Sequence, residues 1–251
     1  MRDNEKIAIG WIDPGTVYTG FAAFVSTIVL NRPERISDVI AASGPYLSLN
    51  RNKMVEIFLK SDADWLLSLD SDICLSLESF DKLVKSADSL ERPVVGGKYY
   101  VPWDNGSGVT VSAVKPVDLS DHTAMGVWLT HEELAAGGEI IEGLHSVGIG
   151  YVLIHREVFE AIASIKPEKY PWFKDGWKPE WDTWTSDDMY FWEQVRGLGI
   201  KISLNAEATS DHLKNFKLND TVYLQSNLNS PTAHHHEHPS RRLWWWAGKK
   251  K

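Results

Sequence analysis

Asp64-Trp65-Leu66-Leu67-Ser68-Leu69-Asp70-Ser71-Asp72 decides the fold. Its first part is a short, nearly continuous apolar run, the pattern of a parallel strand buried on both faces. The run stops at two carboxylates separated by one serine. In open α/β sheets ligands gather beyond the carboxyl ends of the strands, so Asp70 and Asp72 are expected where a substrate sits. One intervening residue lets two carboxylates converge on a hard cation or its hydrated shell. A motif this short also arises by chance about once in a chain of this length. Asp62-Ala63-Asp64 is such a match, but it precedes the strand and reads as a solvated turn. The competing reading of Asp70-Ser71-Asp72 is a helix-capping turn before Ser79.

The surroundings of this strand alternate in type. Lys6–Ile12 reads as a strand, Asp13-Pro14-Gly15-Thr16 as a turn, and Val17–Leu30 as a helix, because Phe21, Phe24, Val25 and Ile28 recur at helical spacing. A short strand at Val39–Ala42 and a helix at Leu49–Ser61 follow. Beyond the carboxylates come a helix at Ser79–Leu90 and a strand at Pro93–Tyr100. This alternation predicts a doubly wound α/β sheet. The second half is less regular. Residues 104–108 form a Gly-rich loop before a strand at Val109–Val114. Thr130-His131-Glu132-Glu133 has capping-box form, and Gly137-Gly138 ends its short helix. A strand at Ser146–Ile154 and a helix at Arg156–Ile165 precede a long aromatic loop, Lys166–Trp184. A helix from Thr185 to about Leu198 and a short strand at Lys201–Leu204 complete the pattern, with His212 after it. With no internal repeat and no long linker, one domain is expected.

The 251 residues are 43% hydrophobic, enough for a sizeable core. A net charge of −8 argues against a broad basic surface for duplex nucleic acid. The start, Met1-Arg2-Asp3-Asn4-Glu5-Lys6, lacks a signal-peptide pattern. The longest apolar stretch, Phe21 to Leu30, is too short to span a membrane. One cysteine, Cys74, excludes an intrachain disulfide and suits a reducing cytoplasm. Of twelve tryptophans, five lie between Trp172 and Trp192. The tail from Asn229 carries His234-His235-His236-Glu237-His238, Trp244-Trp245-Trp246 and three closing lysines. A mobile terminus is the expectation there, ahead of a second metal site or a membrane contact.

Several residues could carry chemistry. Asp187 and Asp188 open a helix, where acids are favoured by the macrodipole and Ser186 could cap. The functional alternative is a carboxylate pair that orients or deprotonates an attacking hydroxyl. His212 becomes a metal ligand only if the fold brings it to Asp72. Gly148-Ile149-Gly150 lacks the third glycine and helix start of a dinucleotide fingerprint. Its glycines leave room for a substrate or a neighbouring strand. Tryptophans of the aromatic loop, Trp172 and Trp184 among them, could stack on sugar rings or form a local cluster.

Taken together, the pieces resemble the GT-A class of nucleotide-sugar glycosyltransferases, most of all the small bacteriophage-encoded forms. The resemblance is carried by Asn50-Arg51-Asn52-Lys53-Met54-Val55, the strand through Asp72, Pro93-Val94-Val95-Gly96-Gly97, Val147 to Phe159, Pro171-Trp172-Phe173 and Ser186-Asp187-Asp188-Met189-Tyr190-Phe191. It covers about residues 6–216. It implies a GT-A-like, Rossmann-like mixed sheet over residues 1–228, with a nucleotide-binding half at 1–103, an acceptor-side half at 104–228, and the tail outside. It implies that Ile12, Asp13, Arg51, Asn52, Asp70 and Ser71 hold the nucleotide sugar. Asp70, Asp72 and His212 would hold a divalent metal, Mn²⁺ or Mg²⁺. Asp187 and Asp188 would be the catalytic acids, in place of the family's usual Glu-Asp, and Gly148, Gly150, Trp172 and Trp184 would contact acceptor or sugar. The implied activity is metal-dependent transfer of a hexose from a nucleotide sugar, UDP-sugar first, to a hydroxyl of a glycan or protein, ahead of a modified DNA base. The implied place is the host cytoplasm. Two other readings stay open. One is a non-catalytic sugar- or nucleotide-binding module. The other is a nucleotidyltransferase, although no Gly-rich basic loop stands at Asp13–Gly20 to take a triphosphate. Donor, acceptor, stereochemical outcome and oligomeric state stay open as well.

Overall fold

The structure is a computed structural model and describes residues 1–102, 108–117, 126–179, 182–214, 217, 218, 220 and 223. The first half runs β1 (Ile7–Asp13), α1 (Thr19–Asn31), β2 (Ile36–Ser43), α2 (Leu47–Lys60), β3 (Trp65–Asp70), β4 (Ile73–Leu75), α3 (Leu77–Ser86) and β5 (Val94–Lys98). An excursion of short elements follows: β6 (Tyr100–Pro102), β7 (Val109–Val111), β8 (Ala113–Lys115), β9 (Val127–Trp128), α4 (His131–Ala136), β10 (Ile140–Ile141) and β11 (Ser146–Val147). The chain then returns through β12 (Tyr151–His155), α5 (Arg156–Ile165), β13 (Gly176–Lys178), β14 (Thr183–Thr185), α6 (Asp187–Gly197), β15 (Ser203–Leu213) and β16 (Lys217–Leu218). The expected loop at 104–107 and the tail at 229–251 lie outside the described residues.

The main sheet has the order β10-β15-β5-β12-β3-β1-β2, with β4 and β16 on the far half of β15. Pairs β1–β2, β1–β3 and β5–β15 are parallel. Strand β12 enters between β3 and β5 antiparallel to both. The excursion before it brings the chain back at the opposite end of the sheet, so β12 runs against its neighbours. The doubly wound mixed α/β sheet expected from the sequence is the sheet that forms, in one domain with an irregular second half.

Strand β3 shows why. Trp65, Leu66, Leu67 and Leu69 are each at most 1% exposed. Leu66 packs with α2, α5 and α6 on one face, through Met54, Phe58, Phe159 and Trp192. Trp65, Leu67 and Leu69 pack with α1 and α3 on the other, through Phe21, Ile28, Phe80 and Leu83. Burying each such side chain contributes roughly 1.5–3 kcal/mol, and the period of two puts alternate residues on opposite faces. Hence an apolar run without alternation makes a central strand.

Several boundaries differ from the sequence expectation: the strand expected at Val109–Val114 splits into β7 and β8, and that at Ser146–Ile154 into β11 and β12, the members of each pair lying in different sheets. Helix α3 starts at Leu77 because the Ser76 side chain accepts the Ser79 amide at 3.1 Å. It stops at Ser86, where Ala87 turns extended. The aromatic loop contains the ribbon β13–β14. Most consequentially, the strand expected at Lys201–Leu204 runs eleven residues, to Leu213. It is bulged between Asn205 and Thr209, where the Asn205 side chain accepts the Glu207 and Ala208 amides at 2.8 and 2.9 Å. Past the bulge β15 pairs with β4, setting His212 opposite Ile73. Among the described residues no helix is long and apolar enough to cross a membrane.

Candidate active site

The carboxyl end of β3 lies beside the end of β1, with Ile12 in register with Asp70. The Asp70 amide donates to the Gly150 carbonyl at 3.0 Å, which brings the start of β12 to the same edge. Gly150 must be glycine here: a Cβ would come within 2.4 Å of Asp70 Oδ2. At Gly148 a Cβ would lie 2.0 Å from the Tyr99 hydroxyl. The space left by these two glycines is taken by Asp70 and Tyr99, not by an open acceptor subsite. Burial, then the Asp70 charge, pushes the Tyr99 phenol well above its ordinary pKa, so it stays neutral. Its oxygen accepts the Gly150 amide at 3.3 Å.

Asp70 and Asp72 have different partners. Asp70 Oδ1 lies 3.4 Å from Arg51 Nη2. Arg51 Nη1 also donates to both oxygens of Asp187, at 2.8 and 2.7 Å. The helix-start aspartate is thus joined to the β3 carboxylate by one guanidinium, Arg51 lying 136 residues before Asp187. Burial works against the charge on Arg51, but Asp70, Asp187 and Asp188 together hold its pKa above the ordinary value. Burial raises the pKa of Asp187, with Arg51 opposing and Asp188 adding to the rise. Asp188 is half-exposed; it accepts the Ser186 hydroxyl and, at 2.8 Å, the Met189 amide.

Asp72 faces the other way. Its Oδ2 lies 3.4 Å from His212 Nε2 and 2.6 Å from Lys214 Nζ. Its backbone carbonyl accepts the Leu213 amide at 2.7 Å, so β15 is stitched to the turn after β3. His212 Nδ1 is 2.7 Å from the Tyr100 carbonyl. A carbonyl only accepts, so Nδ1 carries the proton and donates. Nε2 then presents a lone pair toward a carboxylate oxygen, an arrangement held together by a proton or a cation between them. Burial favours the neutral form of Asp72, but His212 and Lys214 outweigh it and hold the pKa below the ordinary carboxylate value.

A divalent cation between Asp72 and His212 would have to displace Lys214, whose ammonium holds the same Oδ2. An imidazole whose other nitrogen donates to a backbone carbonyl is oriented as metal-binding histidines are. Among the described residues, no three His, Cys, Asp or Glu side chains converge on one point. The described residues would therefore offer Asp72 and His212 as a pair, with the remaining positions left to water or ligand oxygens; the imidazole suits a transition ion such as Mn²⁺ better than Mg²⁺, which prefers oxygen ligands.

The remaining expected residues divide. Asp13 accepts the Gly15 amide at 2.7 Å and Trp11 Nε1 at 3.0 Å, so its carboxylate closes the turn after β1. The Ile12 side chain is buried, leaving its backbone to offer. Ser71 is half-buried in the turn between the carboxylates. Asn52 is turned inward: Nδ2 donates to the Ser48 and Phe173 carbonyls at 2.8 and 2.6 Å, and Oδ1 accepts the Phe173 amide at 3.2 Å. It ties the aromatic loop to α2. Trp172 is also inward, its Nε1 donating to the Phe159 carbonyl at 2.9 Å, and presents no face to a sugar. Trp184 is exposed. Sequence reasoning missed Lys214; continuing the alternation Ala208, Ser210, His212 would have placed it at the site edge.

No family model and no curated protein matches the chain. Among solved structures, it resembles the crystal structure of A197 from STIV at 19% identity and a TM-score of 0.53, covering 92% of this chain and 100% of that one. The likeness is one of fold. A glycosyltransferase involved in the glycosylation of the major capsid of PBCV-1 matches at 14% identity and a TM-score of 0.35, over 66% of this chain and 68% of that one. A likeness that low carries no argument about chemistry.

Proposed function

We propose that the protein is a metal-dependent glycosyltransferase that moves a sugar from a nucleotide sugar to an acceptor hydroxyl. The observation that carries the reading is the His212–Asp72 pair. Its nitrogen-to-carboxylate contact, at the carboxyl edge of an α/β sheet, is where a cation shared with a diphosphate could replace the proton and the Lys214 ammonium. When bound by Asp72 and His212, a divalent ion neutralises charge on the departing nucleoside diphosphate. Asp70 is two residues away and, in this reading, faces the nucleotide, with Arg51 at its side. Arg51 is committed to two carboxylates, so in this reading it positions Asp70 and Asp187 instead of gripping phosphate. Asp187, buried and ion-paired, positions the start of α6. Asp188 is half-exposed and is the acid placed to accept a hydrogen bond from the acceptor hydroxyl and, in an inverting reaction, its proton.

The test is a screen of UDP- and GDP-sugars with Mn²⁺, reading the nucleotide product. Release of nucleoside diphosphate supports transfer or its hydrolytic shadow. Release of inorganic diphosphate from a nucleoside triphosphate would indicate nucleotidyl transfer instead. Binding with no turnover across acceptors would indicate a non-catalytic module.

A further inference from the structure

The ribbon β13–β14 pairs Trp177 directly with Trp184. Directly opposite residues of an antiparallel pair share a face, with Cβ atoms about 4.5–5.5 Å apart. The two indole side chains therefore project from one face of the ribbon, their rings not in contact with each other. They are 55% and 56% exposed. The chain buries Trp65, Trp172 and Trp192 to 5% exposure or less, so these two are set apart. The opposite face of the ribbon is anchored: Thr185 is buried, and Lys178 pairs with Glu193 of α6. Neither exposed indole has a ring partner among the described residues.

We propose that Trp177 and Trp184 form a stacking platform for a neutral carbohydrate, and that this carbohydrate is the acceptor. Indole faces carry negative quadrupole charge and attract the C–H-lined face of a pyranose, leaving its hydroxyls to water and polar groups. The platform is continuous with the site: Trp184 is followed by Thr185, Ser186, Asp187 and Asp188, and four residues of extended chain reach at most about 14 Å. One short glycan could touch both. Exposed Asp175 and Asp182 border the ribbon and have no ion pair among the described residues. Together with Asp188 they disfavour a polyanion. Indoles also stack nucleobases, but such sites sit in basic grooves. A protein partner would want a broader apolar patch around the two anchors.

The acceptor role rests on the transferase reading, whereas the carbohydrate platform does not. The test therefore measures binding of the full-length chain without any nucleotide sugar. Fluorescently labelled protein is applied to an array of immobilised neutral and acidic oligosaccharides, beside a single-stranded oligodeoxynucleotide. The expected result is capture by neutral oligosaccharides, weakened about tenfold or more in Trp177→Ala and in Trp184→Ala, and largely restored in Trp184→Tyr. Leu90→Ala, another exposed apolar residue, serves as the control with unchanged capture. Unchanged melting temperatures exclude misfolding as the cause. Equal capture by the Trp177→Ala/Trp184→Ala double variant, absence of neutral-glycan capture, or preference for the oligonucleotide would overturn the proposal. Failure of donor turnover with glycan capture intact would overturn the transferase reading and with it the acceptor role, and would leave the carbohydrate platform standing.

Discussion

Replacing Arg51 by Met removes the charge that joins the two halves of the site while keeping much of the apolar stem. The Arg51 and Asp187 side chains are 8% and 9% exposed, and the guanidinium meets both carboxylate oxygens. Removing one partner of a buried pair leaves an uncompensated charge and costs about 3–5 kcal/mol, against about 0–1 kcal/mol for a surface pair. Asp70, 31% exposed and 3.4 Å away, adds little to that figure because water screens it. For a domain of this size, each 1 kcal/mol lowers the melting temperature by roughly 2–4 °C, so a drop of roughly 6–20 °C is expected. The loss should depend on pH. Burial already raises the pKa of Asp187 and Arg51 opposes that rise; without Arg51 the folded-state value climbs further above the unfolded one. The folded state then holds a proton that the unfolded state has released, so stability falls as pH rises from the unfolded value through the folded one. The deficit of Arg51→Met should accordingly shrink on acidification from neutral pH. Adding Asp187→Asn should recover most of the loss, because the stranded charge is gone. Thermal melts of wild type, both single variants and the double variant, across that pH range, measure all of this. A deficit under about 1 kcal/mol, or no recovery in the double variant, would refute the buried-pair argument.

Two further outcomes follow from the geometry. Asp188→Asn should cost well under about 1 kcal/mol of stability, since Asn also suits a helix start. It should leave UDP binding nearly unchanged and lower the rate of transfer to acceptor, measured side by side. Gly150→Ala should push the Asp70 carboxylate aside, because its Cβ would sit 2.4 Å from Oδ2. Donor affinity by calorimetry should fall with it, and wild-type affinity in that variant would show that Asp70 takes no part.

The sheet was legible wherever burial wrote itself in apolar residues. Strand β3, helix α1 and the capping box of Thr130 and Glu133 all declared themselves by spacing or cap chemistry. Strand β15 did not, because its buried positions past the bulge are Ala208, Ser210 and His212, small or polar residues that bury against β4 without an apolar alternation. Its length matters most, since it carries His212 to Asp72. The antiparallel sense of β12 was equally hidden: direction depends on where a fifty-residue excursion returns, which no local pattern records. For the site, the carboxylates at the end of β3 were readable from the strand they end. The Arg51–Asp187 pair was not, because nothing local links residues on α2 and α6. Trp172 and Trp184 looked equivalent in sequence, yet one sits beneath α5 and the other on the outer face of a ribbon.

In the proposed function, Asp72 and His212 hold a cation against a diphosphate. Calorimetric titration of UDP, and separately GDP, into the protein with Mn²⁺ and then with EDTA tests it, repeated with Asp72→Asn. Because the described residues offer only a pair of ligands, Mn²⁺ alone should bind weakly at this site. One of the nucleotides should bind at least about tenfold more tightly with Mn²⁺ than with EDTA, a difference of about 1.4 kcal/mol. Asp72→Asn should erase that difference. Equal nucleotide affinity in Mn²⁺ and EDTA for the wild-type protein would contradict the account.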